Sequence, residues 1–402
     1  MERNVPKLRF KGFNDEWKKE VISSICKLSS GSTPSKARKE YFNGTHLWVT
    51  SGELKNKYIY NTIDKITDKA IKNTNLKEYE IGSFIIAIYG LEAQGTRGSS
   101  AILGRKATIS QACMAIEPVK DIYSEFLYYW YAKYGDMIGI RYAQGTKQQN
   151  LSTDLVGNLK IIFPSLKEQE RITNFLTKVD KIIEKQDEKV KNLEKYKKGM
   201  MQKIFSQEIR FKDENGKEYP EWQEYKLNEL CNFFSGGTPL TSKKEYYDGN
   251  IPFIRSAEIS SENTELTISE IGLNNSSAKM IQKGDLLYAL YGATSGEVSI
   301  SKLNGAINQA ILCIRSNRCN LIFLEKVLRN SKQNIIKTYL QGGQGNLSAN
   351  IIKELQYNFP CLDEQDKIAK FITKIDIILQ KEIDKLNELY KWKKGLLQQM
   401  FV

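Results

Sequence analysis

Two short loops contain residue types that can bind phosphate groups. Residues 30–36 have the sequence Ser-Gly-Ser-Thr-Pro-Ser-Lys, and residues 235–241 have the sequence Ser-Gly-Gly-Thr-Pro-Leu-Thr. Glycine lets a backbone approach a phosphate closely, and serine or threonine hydroxyls can donate hydrogen bonds to its oxygens. A structural turn explains the same residues equally well. The loops therefore indicate a phosphate-binding surface only together with other features of the chain.

Both loops belong to an internal repeat that covers the whole chain. The offset between matching residues is 205 at Gly31 and Gly236, and it shrinks to 196 at Asn150 and Asn346, where it stays to the end. A unit of about 200 residues is large enough to bury its own core and is far longer than a solenoid repeat. Two similar modules predict a pseudo-twofold molecule that binds a pseudo-twofold partner.

Positions that differ between matching loops are candidates for sequence recognition. The clearest is Thr50, which Arg255 replaces in the second copy, because an arginine there could bind guanine O6 and N7. Solvated loop surface remains the alternative for each such residue. The candidate DNA-binding residues are Ser32, Thr33, Lys36, Arg38, Thr50, Ser51, Tyr89, Arg97, Lys147, Gln148, Thr238, Ser242, Lys243, Arg255, Ser256, Tyr291, Ser295 and Gln344.

The composition favours a polyanionic partner. The 402 residues are 41% apolar and carry a formal net charge of +13, as expected for a globular protein that binds nucleic acid. The charge is uneven: residues 1–205 hold 35 basic and 23 acidic side chains, whereas residues 206–402 hold 25 and 24. The second copy therefore needs a local basic face or a partner subunit that contacts phosphates.

Catalytic and metal-binding patterns are missing from the sequence. The single histidine, His46, aligns with Ile251 in the other copy, and the six cysteines form no C-x-x-C pair. There is no P-loop, no G-x-G-x-x-G and no Asn-Pro-Pro-Tyr-like tetrapeptide. We expect a cytoplasmic, non-catalytic chain that binds no metal or cofactor, contains reduced thiols and does not enter a membrane.

Each copy has a sheet-rich part followed by a helical part. Apolar runs of four to eight residues predict strands. At least one helix is predicted in each sheet-rich part, at residues 124–134 in the first and 321–329 in the second. The predicted strands are residues 46–51, 82–89, 112–117, 159–163, 251–256, 285–290, 311–315 and 355–359.

The helical parts carry a coiled-coil pattern. In the first, Ile172, Phe175, Val179 and Ile182 recur at helical spacing, and after a skip of one residue the pattern continues to Ile204. A capping box at Ser165 and Glu168 predicts the helix start. Short connections favour antiparallel packing of the two helices, although each helix could instead lie on its own domain.

The predicted fold is α+β, with two similar sheet-rich domains separated by two long antiparallel helices that form a pseudo-twofold coiled coil. The predicted boundaries are residues 1–163 and 206–360 for the domains, and 164–205 and 361–402 for the helices.

The ordered series of motifs resembles the specificity (S) subunit of type I restriction–modification systems. The series comprises the Gly-Ser/Gly-Thr-Pro loops, the Tyr-Gly turns, Asn-Leu-Ser before a Phe-Pro that opens a Glu-Gln-rich helix, and Lys-Lys-Gly near each helix end. Any one motif is weak evidence, but the whole series occurs twice. The resemblance covers essentially the entire chain.

This resemblance implies that each sheet-rich part is a target recognition domain for one half of a bipartite, asymmetric double-stranded DNA sequence. The helices would set the spacer and dock two methyltransferase (M) subunits, which bind S-adenosylmethionine. Two restriction (R) subunits, with ATP and Mg²⁺, would complete the complex. Three alternatives stay open: the specificity module of a type II-like enzyme, a two-domain scaffold that binds protein, and a free-standing DNA-modifying enzyme.

Overall fold

The computed structural model describes residues 4–90, 97–142, 150–340 and 346–402. The chain divides into two compact units, the first formed by residues 1–188 and 383–402 and the second by residues 189–382. Each unit therefore contains one sheet-rich part, the beginning of the helix that follows it and the end of the other long helix. The predicted α+β class is confirmed.

The first sheet-rich part begins with a strand and ends at the first long helix. Its strands are β1 (Lys18–Val21), β2 (Cys26–Ser30), β3 (Phe42–Val49), β4 (Tyr58–Ile59), β5 (Lys65–Ile66), β6 (Glu78–Tyr79), β7 (Phe84–Ala87), β8 (Ser100–Leu103), β9 (Ala107–Ile109), β10 (Cys113–Pro118) and β11 (Lys160–Phe163). The helices are α1 (Ile22–Ile25), α2 (Asp68–Thr74), α3 (Ser124–Tyr142), α4 (Thr153–Gly157) and the long α5 (Leu166–Phe205).

The second sheet-rich part repeats this order. Its strands are β12 (Gln223–Lys226), β13 (Asn232–Ser235), β14 (Tyr247–Ile254), β15 (Leu266–Ile268), β16 (Lys279–Ile281), β17 (Leu286–Ala289), β18 (Val298–Ile300), β19 (Gly305–Ile307), β20 (Ile311–Arg315) and β21 (Gln356–Phe359). The helices are α6 (Leu227–Leu230), α7 (Glu270–Asn274), α8 (Leu321–Leu340), α9 (Ala349–Lys353) and the long α10 (Leu362–Met400).

Each sheet-rich part has two main sheets and a two-stranded ribbon. The first part has the strand orders β2-β10-β7-β8-β4 and β5-β3-β9-β6, with the ribbon β1-β11. The second part has β13-β20-β17-β18 and β15-β14-β19-β16, with the ribbon β12-β21. The strand pairs β3–β9 and β14–β19 are parallel. Within the described residues, β4 is the one strand of the first part without a counterpart.

The apolar runs that predicted strands form the centres of the sheets. All four residues of β7 and of β17 are buried, as expected for strands covered on both faces. The helices are longer than predicted: α3 continues to Tyr142 and α8 to Leu340. Strand β3 begins at Phe42, four residues before the predicted start, because its polar beginning pairs with β5 across a bulge.

The long helices α5 and α10 pack in antiparallel orientation, as predicted. In the second unit, Lys189 pairs with Glu382 at 2.6 Å and Lys197 pairs with Asp376 at 2.5 Å. Residue numbers thus increase along α5 while those of the paired residues of α10 decrease, as in an antiparallel pair. In the first unit, Lys393 of α10 pairs with Asp180 of α5 at 2.7 Å.

The buried seam of the helices differs from the predicted one. Ile182 was assigned to it but is 49% exposed, whereas Leu176 and Ile183 are buried. The buried positions of α5 alternate in spacing between four and three residues, and the series continues from Ile183 through the buried Gln186 to Val190. The pattern therefore skips no residue. The sequence prediction failed here because it followed apolar residues, and a polar residue occupies the seam. Ile378 of α10 is likewise 49% exposed.

A buried ion pair joins the start of each long helix to the segment before the first strand of its sheet-rich part. Both oxygens of Glu168 accept hydrogen bonds from Arg9 at 2.8 Å, and Glu168 is 1% exposed. Arg210 binds Glu364 in the same way in the second unit. Removing one partner of such a pair leaves an uncompensated buried charge, which costs about 3–5 kcal/mol. The carboxylate predicted to complete a capping box with Ser165 thus binds arginine.

The Glu-Gln motif has a second structural role through its glutamine. The Gln169 side chain donates to the carbonyl oxygens of Pro164 and Asp121, each at 2.8 Å, and accepts from the backbone N–H of Tyr123 at 3.0 Å. Gln365 makes matching contacts with Pro360 and Asn320. The motif therefore ties each long helix to the residues that precede α3 or α8.

Candidate nucleic-acid interface

The candidate loops of the first unit meet at residues 110–112, which we name the first hub. Leu151, in the Asn-Leu-Ser motif, joins this group because its N–H donates to Ile88 O at 3.0 Å. Three hydrogen bonds hold the loops to the hub: Gln111 N to Thr33 Oγ1 at 3.3 Å, Ser110 N to Val49 O at 2.8 Å, and Ile88 N to Ala112 O at 2.9 Å. Val49 and Ile88 directly precede Thr50 and Tyr89. The hub therefore contacts the loop at Thr33, the loop at Thr50 and the loop at Tyr89.

The second unit has an equivalent second hub at residues 308–310. Thr238 Oγ1 donates to Gln309 Oε1 at 2.6 Å, and Leu290 N donates to Ala310 O at 2.8 Å. Strand β14 pairs with β19 at Ile254 and Ile307, which brings Arg255 beside this segment. The structure thus places Thr238, Arg255 and Tyr291 in one loop cluster.

The loop glycines have a structural reason. A Cβ atom on Gly31 would lie 2.1 Å from Ile109 O, and one on Gly236 would lie 1.7 Å from Ile307 O. Only glycine fits where the loop crosses β9 or β19 so closely. The turn interpretation therefore accounts for the glycines, and the adjacent Ser32 and Thr238 side chains remain exposed.

One glutamate organises the next loop in each unit. Glu53 accepts hydrogen bonds from the backbone N–H groups of Thr50 at 2.8 Å and Ile63 at 2.7 Å, and from the Thr50 hydroxyl at 3.0 Å. Glu258 does the same for the backbone N–H groups of Arg255 and Glu265. This role was not predicted from the sequence, although a glutamate recurs three residues after both Thr50 and Arg255.

The Arg255 guanidinium already has carboxylate partners. Its Nε donates to Glu258 Oε2 at 3.0 Å, and its terminal nitrogen pairs with Glu265 at 2.5 Å. Hydrogen bonds to Glu258 and Glu265 raise the pKa of Arg255. To contact a base, this arginine would have to exchange a carboxylate for the base edge.

Matching cations follow the glycine-containing loops. Arg38 lies over the ring of Tyr41 and donates to its hydroxyl at 2.8 Å. Lys243 lies over the ring of Tyr246 and donates to its hydroxyl at 3.2 Å. Both cations are exposed, so each unit presents a positive charge of fixed position beside its loop.

The remaining candidates occupy varied positions. Tyr89 is 38% exposed, whereas Tyr291 packs partly against the core of its unit. Ser295 donates to Leu290 O at 3.0 Å and closes the Tyr-Gly turn. Lys36 and Ser242 are exposed, and Ser51 and Ser256 begin short 3-10 turns. Arg97 pairs with Asp136 of α3 at 3.9 Å. Lys147, Gln148 and Gln344 lie outside the described residues.

Both halves of the chain, each with its own loop cluster, match a known protein family. The family model for the type I restriction modification DNA specificity domain matches residues 14–195 and again residues 219–389. The chain belongs to this family. The two matches coincide with the two halves of the internal repeat, so the chain is a type I specificity subunit, the non-catalytic DNA-recognition component of such systems.

Relatives and solved structures agree with this assignment. The MjaIX specificity subunit of Methanocaldococcus jannaschii is 24% identical over 94% of this chain and 90% of its own length. The MjaVIII specificity subunit of the same organism is 22% identical over 98% and 94%. The crystal structure of an S subunit from M. genitalium has a TM-score of 0.62 at 18% identity and covers 99% of both chains, which shows a shared fold.

The specificity subunit has no helix, among the residues placed by the structure, that is long and apolar enough to cross a membrane. Its six cysteines are free thiols, and all except Cys361 are buried. Burial raises the pKa of the Cys26, Cys113 and Cys313 thiols to about 12, which keeps these three protonated at neutral pH.

The single histidine of this specificity subunit lies between two carboxylates. His46 Nδ1 is 3.0 Å from Glu78 Oε1, and its Nε2 is 2.9 Å from Asp68 Oδ1. Partial burial lowers the pKa of His46, but the hydrogen bonds to Asp68 and Glu78, with their charges, raise it more. The net result is a pKa above the ordinary value. The His46 ring links β3 to α2 through Asp68 and to β6 through Glu78.

We expect the His46 ring to titrate above its ordinary pKa of about 6.5. Because the folded pKa is raised, the stabilisation is fully present below the unfolded pKa and is lost as pH rises through the folded pKa. A ¹H–¹³C NMR titration of the sole histidine measures this directly. The control is the same titration in denaturant, and a folded midpoint at or below the denatured one would contradict the prediction.

Proposed function

We propose that each unit recognises one half of a bipartite, asymmetric DNA sequence through the loops around its hub. The proposal rests mainly on one observation: Glu53 and Glu258, and the backbone bonds of Ile88 to Ala112 and of Leu290 to Ala310, form a hydrogen-bond framework that both units share, but side chains at matched positions differ. Thr50 and Arg255 occupy the same place on that framework and have different hydrogen-bonding chemistry. Framework residues position the protein, and the divergent side chains select the bases.

Phosphate contacts would come from the hydroxyls and cations beside each hub. Ser32, Thr33, Lys36 and Arg38 are suited to this role in the first unit, and Thr238, Ser242 and Lys243 in the second. The near-neutral charge of residues 206–402 predicts that the second copy of the repeat needs help from a partner subunit to bind DNA tightly. The recognition domains would comprise residues 1–163 and 206–360.

The long helices would set the unread gap between the half-sites and dock two M subunits. Ile182 and Trp392 are two of the exposed apolar side chains on the helices of the first unit, and Ile378 and Tyr196 are exposed at the matching positions of the second. Their exposed fractions are 49%, 44%, 49% and 51%, respectively. Such side chains on otherwise charged helices favour packing against a partner helix. The same patch in both units fits two copies of one partner.

The M subunits would supply S-adenosylmethionine and the methyl transfer, and R subunits would supply ATP- and Mg²⁺-dependent restriction. Sequencing of methylated adenines in a genome that carries this chain and its M partner tests the proposal. A two-part motif with a fixed gap is the expected result. A continuous motif would overturn the proposal. If the complex with M subunits bound no specific DNA duplex more tightly than random DNA, the protein-binding scaffold would be favoured instead.

We expect the double substitution Ile182→Glu and Ile378→Glu to weaken binding of M subunits at least tenfold. Each charge would have to enter an apolar contact, and hot-spot losses of about 2 kcal/mol or more are typical. Titration of labelled subunit with purified M measures the change. The matched control is Lys185→Glu with Lys381→Glu, at exposed positions of the same two helices. Equal affinities of both variants for M would exclude this face as the docking site.

A further inference from the structure

In the first unit, one aspartate joins three separate parts of the structure. Asp180 of α5 accepts a hydrogen bond from the Tyr129 hydroxyl of α3 at 2.6 Å and pairs with Lys393 of α10 at 2.7 Å. The side chains of Asp180 and Lys393 are 12% and 22% exposed. Lys57, from the loop before β4, donates to the Tyr129 hydroxyl at 3.1 Å. We name Asp180, Tyr129 and Lys393 the first junction.

The second unit has an equivalent second junction, formed by Asp376, Lys326 and Lys197. Asp376 of α10 accepts from Lys326 of α8 at 2.8 Å and pairs with Lys197 of α5 at 2.5 Å. Lys326 is 10% exposed and also pairs with Glu325 at 2.7 Å. Hydrogen bonds from both lysines outweigh burial and lower the pKa of Asp376, so the carboxylate is charged at neutral pH.

Both junctions contain an aspartate and a lysine from the long helices, but the third residue, which comes from the domain helix, differs between them. Asp180 and Asp376, like Lys197 and Lys393, are 196 residues apart in the sequence. The third position is a neutral Tyr129 in one unit and a charged Lys326 in the other. Two side chains that differ in size and charge thus donate to the same carboxylate position, which indicates that the donor itself is required.

Stability alone does not explain these junctions. Lys197 and Lys393 continue the alternating spacing of buried seam positions, where an apolar residue would pack better. Replacing a buried ion pair with apolar residues is often neutral or stabilising, whereas polar groups at such positions specify geometry. A carboxylate that accepts a directional hydrogen bond from the domain helix and forms a short ion pair with the other long helix accepts little displacement of either partner.

We propose that Asp180 and Asp376 are positioning residues for gap length. Each would hold the domain helix, α3 or α8, in one orientation on the paired long helices, so that the complex accepts its half-sites at a single separation. The inference rests on the proposed function, because gap length has meaning only for a two-part target. It adds a role for residues that contact no DNA.

The test uses the complete complex with M subunits and a plasmid library in which the gap between the two half-sites varies. Wild type should methylate one gap length. Tyr129→Phe removes the hydroxyl and leaves the ring, and a lost hydrogen bond to a charged group is worth about 1.5–3 kcal/mol. We therefore expect methylation at neighbouring gap lengths to rise about tenfold or more relative to the main one, with both half-site sequences unchanged. Tyr128→Phe, at the adjacent residue, is the matched control.

A second pair of variants keeps the test valid if the first variant folds poorly. Lys326→Tyr retains a donor of the kind used in the first junction, whereas Lys326→Phe does not. We expect relaxed gap length only for Lys326→Phe, with melting temperatures confirming that both variants fold. Unchanged gap preference in Tyr129→Phe and Lys326→Phe would overturn the inference. Failure of the proposed function would differ, because wild type would then methylate no two-part site.

Discussion

Replacing residues 1–163 with the corresponding module of another specificity subunit is expected to change one half of the methylated sequence and leave the other half intact. Each unit has its own two sheets, its own hub and its own set of divergent loop side chains, with the hydrogen bonds of each hub made inside its unit. Each module should therefore determine the sequence recognised at one half-site only. The expected effect is complete, because every base contact of that half-site would be replaced.

The structure shows which residues the incoming module must retain. Arg9 has to reach Glu168, and a donor must stand at the position of Tyr129 to bind Asp180. Adenine methylation mapping of the hybrid complex gives the result, and the reciprocal exchange of residues 206–360 should change the other half only. Simultaneous change of both halves in either hybrid would refute the modular model.

Lengthening both long helices by whole heptads is expected to lengthen the unread gap. Two heptads add roughly 14 residues and ~21 Å of helix, which corresponds to about six base pairs. Three heptads add ~31 Å, close to the ~34 Å of one DNA turn. We expect the three-heptad complex to be the more active of the two, because both half-sites then face the protein on the same side.

The insertions must be made in both helices, at equivalent heptad positions after Gln186 and Glu382. The reason is that the end of each helix is anchored. Phe401, directly after α10, packs against Phe126 of α3 with ring centroids 5.1 Å apart, and Ile204 of α5 is fully buried in the core of the second unit. An insertion in α5 alone serves as the mismatched control and should lose activity. An active double-insertion complex with an unchanged gap would rule out the helices as the determinant of spacing.

Local patterns in the sequence were sufficient for the elements that depend on neighbouring residues. The apolar run of β20 predicted its bounds correctly, and the absence of proline with seven-residue periodicity predicted two helices of about forty residues. Strands of two residues, such as β4 and β6, were missed because so short a segment has no periodicity of its own. They exist because a longer neighbour supplies their hydrogen bonds.

The candidate site was predicted less well than the fold. Choosing loops that differ between the copies identified Thr50, Tyr89, Arg255 and Tyr291, and the structure places these residues at the hubs. The residues that organise the loops, Glu53 and Gln111, are not among the candidates predicted from the sequence. Both act through hydrogen bonds to distant residues, and a single sequence shows no sign of such contacts.

The amino-acid sequence by itself determined that this chain has two copies of one module, each followed by a long amphipathic helix, and that its motifs are those of a type I specificity subunit. These properties depend on residue order and on spacing along the chain. Only the tertiary structure decided that Glu168 binds Arg9, that residues 110–112 gather the loops, and that Asp180 joins α3 to both helices. Such contacts join residues up to about two hundred positions apart, and their free energy depends on burial, which exists only in the folded chain.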